Sequence, residues 1–445
     1  MTDFPNTDTG PLARPIRRVV RVSITGLFGL YDHTIPLNTD ERVTILHGPN
    51  GIGKTIALRL IAAFFAGRYL EFSRVPFSDF KLTLDNGDTV TIKRSHIGKP
   101  RKKAPQLQSV RVEHDHGKQR LNETEVKIDD RITTFLARFP YVEQLGADTW
   151  LDKEHGDTVA TADLLERYAH YVGARTTPYD EPDWLIALRK QVTVHLIEAQ
   201  RLVRFAAQKR EQRALVATVQ DCAAGLQTSI SEQLQTYGRE SQSLDQTFPQ
   251  RLLRKIAPLS VDDIKSQMAA LDIDREKLRR IGLLDERRED RFDATSLDSL
   301  EETQRSVMTL YVQDTRSKLA VLTPLARKIE LLLKHLSKLK NKTLHVNAKS
   351  GLIARGHDGE ALPLESLSSG EQHEIVLMYD LLFRVRENSL VLIDEPELSL
   401  HIDWQKKFLP DLLEVVQAVR FDVLLATHSI FIAGERPELM VSLSE

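Results

Sequence analysis

The sequence predicts an α/β protein whose mixed sheet with flanking helices is split by an α-helical, coiled-coil insertion. Short β-branched apolar segments occur near both ends of the 445-residue chain, and glycine, proline or polar clusters follow them. A glycine-rich turn follows one of these segments and opens a helix. Between the two strand-rich regions, residues 204–342 carry apolar side chains at spacings of three and four, which is a helical pattern.

Length predicts two or three structural units, since 445 residues exceed the usual size of one domain. We expect four segments: a flexible tail at 1–16, an N-terminal lobe at 17–203, a helical arm at 204–342 and a C-terminal lobe at 343–445.

Charge and cysteine content indicate which partners and which cellular compartment to expect. The 61 basic and 63 acidic residues nearly balance, so only local patches can indicate nucleic acid. Cys222 is the single cysteine and fits a buried thiol in a reducing compartment. No apolar run approaches the ~20 residues of a membrane helix, and the first residues do not resemble a secretory signal. We therefore expect a cytoplasmic protein with no membrane partner.

The N-terminal lobe opens with two predicted paired strands, 18–24 and 32–37. The aromatic residues of the intervening loop, 26–31, either stack on a nucleobase or pack beneath the sheet. Strands 80–84 and 89–94 flank Asn86-Gly87, a strong hairpin signal.

The glycine-rich turn is Gly48-Pro49-Asn50-Gly51-Ile52-Gly53-Lys54-Thr55, which fits the phosphate-binding loop pattern G-x-x-x-x-G-K-[ST]. A buried strand at 43–47 precedes it, and a helix at 56–65 follows it and ends at Gly67. Backbone N–H groups of such a loop and the helix N-terminus attract phosphate. The pattern predicts binding of a nucleoside triphosphate, with Lys54 at the β- and γ-phosphates and Thr55 on Mg²⁺. The expected nucleotide-binding residues are Asn50, Gly51, Gly53, Lys54 and Thr55.

The insertion contains two predicted long helices. An apolar seam marks the first, at Leu215, Val219, Cys222, Leu226, Ile230, Gln233 and Tyr237. We expect Phe248-Pro249 to end it, a shorter helix to follow at 261–280, and a second long helix to span 297–342 with a bend at Pro324. The pattern is typical of an antiparallel arm, and a compact helical subdomain is the alternative.

Basic side chains would meet at the base of an antiparallel arm and form a zone for DNA phosphates. Its outgoing members are Arg201, Arg204, Lys209, Arg210 and Arg213, and its returning members are Arg327, Lys328, Lys334, Lys338, Lys340 and Lys342. A solvated helix surface is the alternative, and the loop 101–103 is a second candidate contact.

The C-terminal lobe carries three further motifs. Leu-Ser-Ser-Gly-Glu-Gln at 367–372 precedes a helix expected at 374–386. An apolar strand at 389–393 leads to Asp394 and Glu395, and Pro396 stops it, so both carboxylates lie at its carboxyl end. Another strand at 423–426 leads to Thr427 and His428.

These four motifs, in this order, resemble the ATP-binding-cassette (ABC) ATPases, which implies a P-loop ABC-type ATPase head. Gly370-Glu371-Gln372, the segment 394–401 and the helical insertion are similar to the RecF, SMC and OLD-like branch. The amino-acid sequence of 394–401 resembles that of the OLD-like ATPases of prokaryotic genome-defence systems.

The resemblance implies a role for each motif. Asp394 would hold Mg²⁺ with Thr55, and Glu395 would orient the attacking water. His428 would contact the γ-phosphate. Ser368 and the backbone N–H of Gly370 would cap the γ-phosphate of a partner subunit, which makes the active unit an ATP-dependent homodimer. The segment 397–401 would cross the dimer interface.

The sequence also departs from the family. Ser369 stands where many cassettes have glycine, and His401-Ile402 stands where OLD-like proteins often have His-Pro. The Q-loop glutamine is not fixed among Gln106, Gln108, Gln119 and Gln144. Too few residues follow 430 for a Toprim nuclease cluster. Hence the resemblance predicts an ATPase that senses or moves along DNA with a separate effector protein. A RecF-like repair clamp without an effector is the alternative.

Overall fold

The computed structural model describes residues 16–94, 109–127, 136–137, 139–146, 149–153, 157–160, 164, 181–197, 203–205, 215–254, 257–284, 300–337, 342–398, 402–434 and 436–443. The chain divides into two compact units. The first, which we call the P-loop unit, comprises 1–199, 385–398 and 402–445. The second, the arm unit, comprises 200–384 and 399–401. The domain boundaries given above remain a prediction.

The strands are, in chain order, β1 Val19–Leu27, β2 Tyr31–Pro36, β3 Val43–His47, β4 Asp79–Leu84, β5 Asp88–Arg94, β6 Ser109–His116, β7 Gln119–Lys127, β8 Val142–Gln144, β9 Thr149–Asp152, β10 Asp157–Ala160, β11 Val194–Ile197, β12 Val203–Phe205, β13 Leu215–Ala217, β14 Lys342–Asn347, β15 Gly351–Gly356, β16 Ala361–Leu362, β17 Leu390–Asp394, β18 Asp422–Ala426 and β19 Met440–Ser442. The α-helices are α1 Lys54–Ala66, α2 Leu70–Arg74, α3 Asp183–Arg189, α4 Thr218–Leu253, α5 Val261–Arg280, α6 Glu302–Leu336, α7 Ser369–Tyr379, α8 Ile402–Val419 and α9 Ile430–Ala433.

An antiparallel sheet with the order β2-β1-β4-β5-β6-β7 forms one layer of the P-loop unit. The predicted pairing of the first two strands and the predicted hairpin of β4 with β5 are both confirmed. Its buried face packs against the helical side of the unit through Ile24, Phe72 and Phe80, which are inaccessible to solvent. This layer is thereby fixed to α1 and α2 by apolar burial.

A parallel sheet with the order β11-β17-β18-β3-β19 forms the second layer. Every residue of β18 is buried, as a parallel strand covered on both faces requires. In the ladder, Asp394 lies opposite Ala426, and Ala426 lies opposite Leu46. The carboxyl ends of β3, β17 and β18 are therefore level, and the segments that follow them meet at one edge.

Helix α1 covers this sheet and spans Lys54–Ala66, two residues earlier at its start and one later at its end than the predicted 56–65. Leu58 and Ile61 are fully buried on its inner face, and the helix ends where Gly67 takes the left-handed conformation with φ of 72°. Strand β11 of this sheet ends at Ile197, and Arg201, a predicted member of the basic zone, lies outside the described residues.

Helices α4 and α6 of the arm unit pair side by side. Gln233 bonds to the carbonyl oxygen of Val321, and Arg251 bonds to Asp314, so contacts move back along α6 as they advance along α4. The two helices are thus antiparallel, as expected. Helix α5 also packs on α6 and has the predicted bounds.

Two predictions about these helices are wrong. Helix α4 does not stop at Phe248-Pro249 but continues to Leu253. Pro249 removes one backbone hydrogen bond from this last turn. The turn is stabilised instead by the Arg251 guanidinium, which lies 2.7 Å from Asp314 Oδ2 on α6. Helix α6 begins at Glu302, five residues after the expected start at 297, because Glu301 and Gln304 form a capping box there. Residues 338–341, at its expected end, lie outside the described residues.

The arm unit also contains the sheet β14-β15-β16 and helix α7. This helix begins at Ser369, earlier than the expected 374, and passes into a π-helical turn at Asp380–Arg384. Among the residues described, no helix has both the length and the apolar character needed to cross a membrane.

The Arg251–Asp314 pair gives a test of the helix packing. Asp314 is 8% exposed, and Arg251→Ala would leave its carboxylate buried without this partner. We expect the free energy of unfolding to fall by about 1–3 kcal/mol, measured by urea denaturation. Lys318→Ala is the control, since its partner Asp245 is 70% exposed and such pairs contribute less than about 1 kcal/mol. Equal losses in both variants would contradict the assigned importance of Arg251.

Candidate nucleotide-binding site

The phosphate-binding loop lies between β3 and α1, as predicted. Gly53, the residue before the helix, has a φ of 101°, and a Cβ atom there would collide with the buried Leu27 side chain. Only glycine meets both restrictions without strain. The loop therefore packs closely on β1 while its backbone turns into the first turn of α1.

Lys54 points back across this loop. Its side chain is buried, and its ammonium group donates to the carbonyl oxygens of Gly48 at 2.7 Å and Pro49 at 2.9 Å. Burial lowers the pKa of Lys54, whereas the negative charges of Glu395, Glu397 and Asp394 act in the opposite direction. The ammonium group is thus held in the mouth of the loop, where three carboxylates favour its charged form.

Thr55 and Asp394 bring two oxygen atoms together. The Thr55 hydroxyl donates to Asp394 Oδ1 at 3.0 Å, across 339 residues of sequence. Two neighbouring ligands of an octahedral Mg²⁺, each about 2.1 Å from the ion, are about 3.0 Å apart. The spacing and the hard oxygen donors therefore fit the metal that the sequence predicts.

Glu395 follows directly on β17 and has an unusual backbone. Its φ is 42°, in the left-handed region that non-glycine residues seldom adopt, and its N–H donates to the Ala426 carbonyl oxygen at 2.9 Å. Strain of this kind is commonly found at functional sites. The conformation places its carboxylate 3.4 Å from His428 Nε2.

His428 connects Glu395 to Lys54. The Lys54 ammonium group lies 3.1 Å from His428 Nδ1 and has only protons to offer, so Nδ1 accepts. The neutral ring consequently carries its proton on Nε2, the atom that faces Glu395. Three predicted site residues thus form one chain of contacts.

Glu397 is a further residue of this site. Its Oε1 atom accepts from the Thr427 hydroxyl at 2.8 Å and from the His428 N–H at 2.6 Å. The sequence suggested an interface role for 397–401 and no contact with His428, because nothing in the local pattern indicates it. Residues 399–401 lie outside the described residues.

A cavity of about 480 Å³ opens over these groups. It is within the size range of small-ligand sites. Phe28 stands at this cavity with 40% of its surface exposed, so its ring is available to a ligand rather than buried under the sheet. The lining residues are Phe28, Asn50, Gly51, Gly53, Lys54, Thr55, Ile56, Glu395, Glu397, Leu398 and His428.

The signature segment belongs to the arm unit. Ser368 caps α7: its N–H donates to Glu371 Oε2 at 2.8 Å, and its hydroxyl oxygen accepts from the Glu371 N–H at 3.4 Å. Lys342 bonds to the same carboxylate at 2.8 Å. Burial opposes ionisation of Glu371, but the bonds from Lys342 and Ser368 outweigh it and lower the pKa. Gly370 lies in the first turn of this helix.

The Q-loop glutamine stays undetermined. Gln106 and Gln108 lie outside the described residues. Gln119 opens β7 and Gln144 ends β8, and neither lines the cavity.

Part of the chain matches one known protein family. Residues 226–433, just under half of the chain, match the family described as "AAA domain, putative AbiEii toxin, Type IV TA system". No curated protein sequence matches the chain.

Solved structures that match include the SMC head domain from Thermotoga maritima, with 11% identity over 96% of this chain and 94% of that chain and a TM-score of 0.32. Another is the Smc head domain with an extended coiled coil bound to the C-terminal domain of ScpA, from Pyrococcus furiosus. It has 12% identity over 96% of this chain and 93% of that chain and a TM-score of 0.32.

The family match spans the signature segment, the Asp394-Glu395 strand and His428, and the phosphate-binding loop completes the set. The protein is an ATPase with the fold of a P-loop head split by a helical insertion. The family match agrees with the P-loop ATPase that the sequence motifs predict, and the resemblance to the RecF, SMC and OLD-like branch stays a prediction.

Proposed function

We propose that this chain binds and hydrolyses ATP in the cavity above the parallel sheet and that two copies dimerise around the nucleotide. The convergence of the Thr55–Asp394 pair and the Lys54–His428–Glu395 chain on one cavity carries the proposal. Each group has the chemistry that phosphoryl transfer needs, namely positive charge, metal-binding oxygens and a carboxylate beside the reacting centre.

In this proposal, the backbone N–H groups of Asn50, Gly51 and Gly53 surround the phosphates. Lys54 leaves the carbonyl oxygens of its loop and pairs with the β- and γ-phosphates, which offer it a full negative charge. Thr55 and Asp394 would hold Mg²⁺, which when bound would supply positive charge against the phosphates.

Glu395 orients the attacking water and His428 contacts the γ-phosphate. The left-handed backbone of Glu395 directs its carboxylate into the cavity, where the carboxylate lies beside the His428 ring. Positioning of this kind supplies most of the catalysis in phosphoryl transfer. The exposed Phe28 ring at the cavity offers a flat apolar surface for the nucleobase.

Two substitutions separate binding from hydrolysis. We expect Lys54→Ala to abolish binding of a fluorescent ATP analogue, because the phosphates lose their buried positive partner. Glu395→Gln should bind ATP normally and hydrolyse it about 10²-fold or more slowly, because the water is no longer polarised. Phosphate release and analogue titration would measure both effects. Turnover by Glu395→Gln at the rate of the wild type would contradict the role of Glu395.

The proposal of a dimer rests on the signature segment and on the surface beside the cavity. Ser368 and Gly370 stand at the N-terminus of α7, whose dipole favours an anion, and the family resemblance implies that they act on a partner's nucleotide. Exposed apolar side chains occur on the segments that follow β17 and β18: Leu398 is 47% exposed and Ile430 is 69% exposed. Apolar groups of this kind favour a surface that another protein covers.

Mixing inactive subunits tests this arrangement. Lys54→Ala and Gly370→Asp should each be inactive alone, the first for lack of bound ATP and the second through repulsion of the γ-phosphate. A heterodimer would retain one site with both halves intact, so ATPase activity should return to about a quarter of wild type in an equal mixture. Absence of recovery in mixtures whose heterodimers are shown by native mass spectrometry would contradict action in trans.

We further propose that the ATPase is a cytoplasmic sensor or motor subunit of a DNA-linked, anti-phage defence system with a separate effector. The family description, which names an AbiEii toxin and a type IV toxin–antitoxin system, supports a link to genome defence. A RecF- or SMC-like repair clamp without an effector is the alternative. An adjacent nuclease or toxin gene would favour the first role, and replication genes would favour the second.

Two basic residues of the zone predicted to contact DNA have other partners in the structure. Lys342 pairs with Glu371, and Lys328 lies 5.9 Å from the centre of the Phe383 ring, where burial lowers its pKa. Arg327 and Lys334 are exposed on α6. The members at 201, 209, 210, 213, 338 and 340 and the loop 101–103 lie outside the described residues.

Charge reversal on α6 tests this contact. The double variant Arg327→Glu/Lys334→Glu should weaken binding of duplex DNA, and the slope of log affinity against log salt should decrease by about two. Fluorescence anisotropy at several salt concentrations would measure both. Lys265→Glu/Lys277→Glu on α5 is the control, since it changes the net charge by the same amount. Unchanged slopes in the α6 variant would exclude these two residues as phosphate contacts.

A further inference from the structure

The loop 427–429, which carries His428, is held by the carboxylate of Glu397. Glu397 Oε1 accepts from the Thr427 hydroxyl at 2.8 Å, from the His428 N–H at 2.6 Å and from the Ser429 N–H at 3.2 Å. Ser429 also donates through its hydroxyl to Gln405 Oε1 at 2.7 Å. The Thr427 N–H continues the backbone ladder to Leu46, whereas the N–H groups of His428 and Ser429 are held by side-chain acceptors.

Such a contact is strong for its size. Two successive backbone N–H groups that point at one anion form a concave site, and hydrogen bonds to an ionised acceptor are about twice as strong as neutral ones. Glu397 lies three residues after Asp394 in the chain, so the bond joins the segment after β17 to the segment after β18. The position of the His428 ring consequently depends on the position of the Glu397 carboxylate.

Glu397 also lines the cavity, which raises the alternative that it acts directly on the water. Its contacts argue against that role. Oε1 already receives three donors, and Oε2 is buried with no hydrogen-bond partner among the described residues. Neither oxygen is placed to take a proton from a water in the open cavity.

We infer that Glu397 is a positioning residue that sets His428 for contact with the γ-phosphate. This inference rests on the proposed role of His428. Without the carboxylate, the His428 N–H would lose its acceptor and the Ser429 N–H would keep only the Thr427 hydroxyl oxygen at 2.9 Å, so the imidazole would lose its alignment with Lys54 and Glu395. A displacement of about 1 Å at such a group can cost about 10²-fold in rate.

A double-mutant cycle tests the inference, because a positioning residue loses its effect when the group that it positions is absent. We expect His428→Ala and Glu397→Ala each to lower kcat by about 10²-fold, with the KM for ATP within about threefold of wild type. The double variant should be no slower than His428→Ala alone. Glu397→Gln should recover most of the rate, since its amide oxygen accepts from the same three donors. The exposed Glu387 provides the control, and Glu387→Ala should leave kcat unchanged.

Each other outcome overturns the inference. A double variant about 10⁴-fold slower than wild type would show that Glu397 acts independently of His428. Slow turnover by Glu397→Ala combined with normal turnover by His428→Ala would show the same. Thermal unfolding and binding of a fluorescent ATP analogue verify that each variant is folded. If His428→Ala hydrolyses ATP at the wild-type rate while Lys54→Ala still fails to bind ATP, His428 has no role in hydrolysis, but the assignment of the nucleotide site stands.

Discussion

The site depends on the register of three neighbouring parallel strands. Backbone hydrogen bonds place Asp394 opposite Ala426 and Ala426 opposite Leu46, so β3, β17 and β18 end at the same level. The ladder continues one step beyond the strands, where Thr427 donates its N–H to Leu46 and Glu395 donates its N–H to Ala426. A shift of one residue in any strand would turn its last side chains to the opposite face and separate the oxygens of Thr55 and Asp394.

Charge balance is the second requirement at this edge. Three carboxylates, Asp394, Glu395 and Glu397, crowd the ends of β17 and its following turn, and each could repel the others. Lys54, the Thr55 hydroxyl and the N–H groups of 428–429 supply positive ends toward them. The same carboxylates favour a charged Lys54, although burial is the larger effect and lowers its pKa.

The arm unit has its own organising contact at the signature helix. Glu371 accepts from Ser368 at the N-terminus of α7 and from Lys342 at the start of β14. Since β14 follows the last helix of the arm in the chain, this ion pair joins the returning end of the arm to the segment expected to contact a partner's nucleotide. Among the described members of the predicted basic zone, Lys342 is therefore paired within the arm unit.

The sequence by itself determined the parts of the site whose chemistry is local. A strand, a glycine turn and a helix are encoded within some twenty residues, and Asp394 and Glu395 follow an apolar strand that Pro396 stops, so spacing alone predicts them. Tertiary structure decided everything that joins distant segments. Lys54 and His428 are 374 residues apart, and no local pattern fixes their contact or the tautomer that it imposes. Likewise, Arg251 and Asp314 carry α4 past Pro249, and Glu397 holds the His428 loop, because hydrogen bonds between side chains form only after packing has brought their elements together.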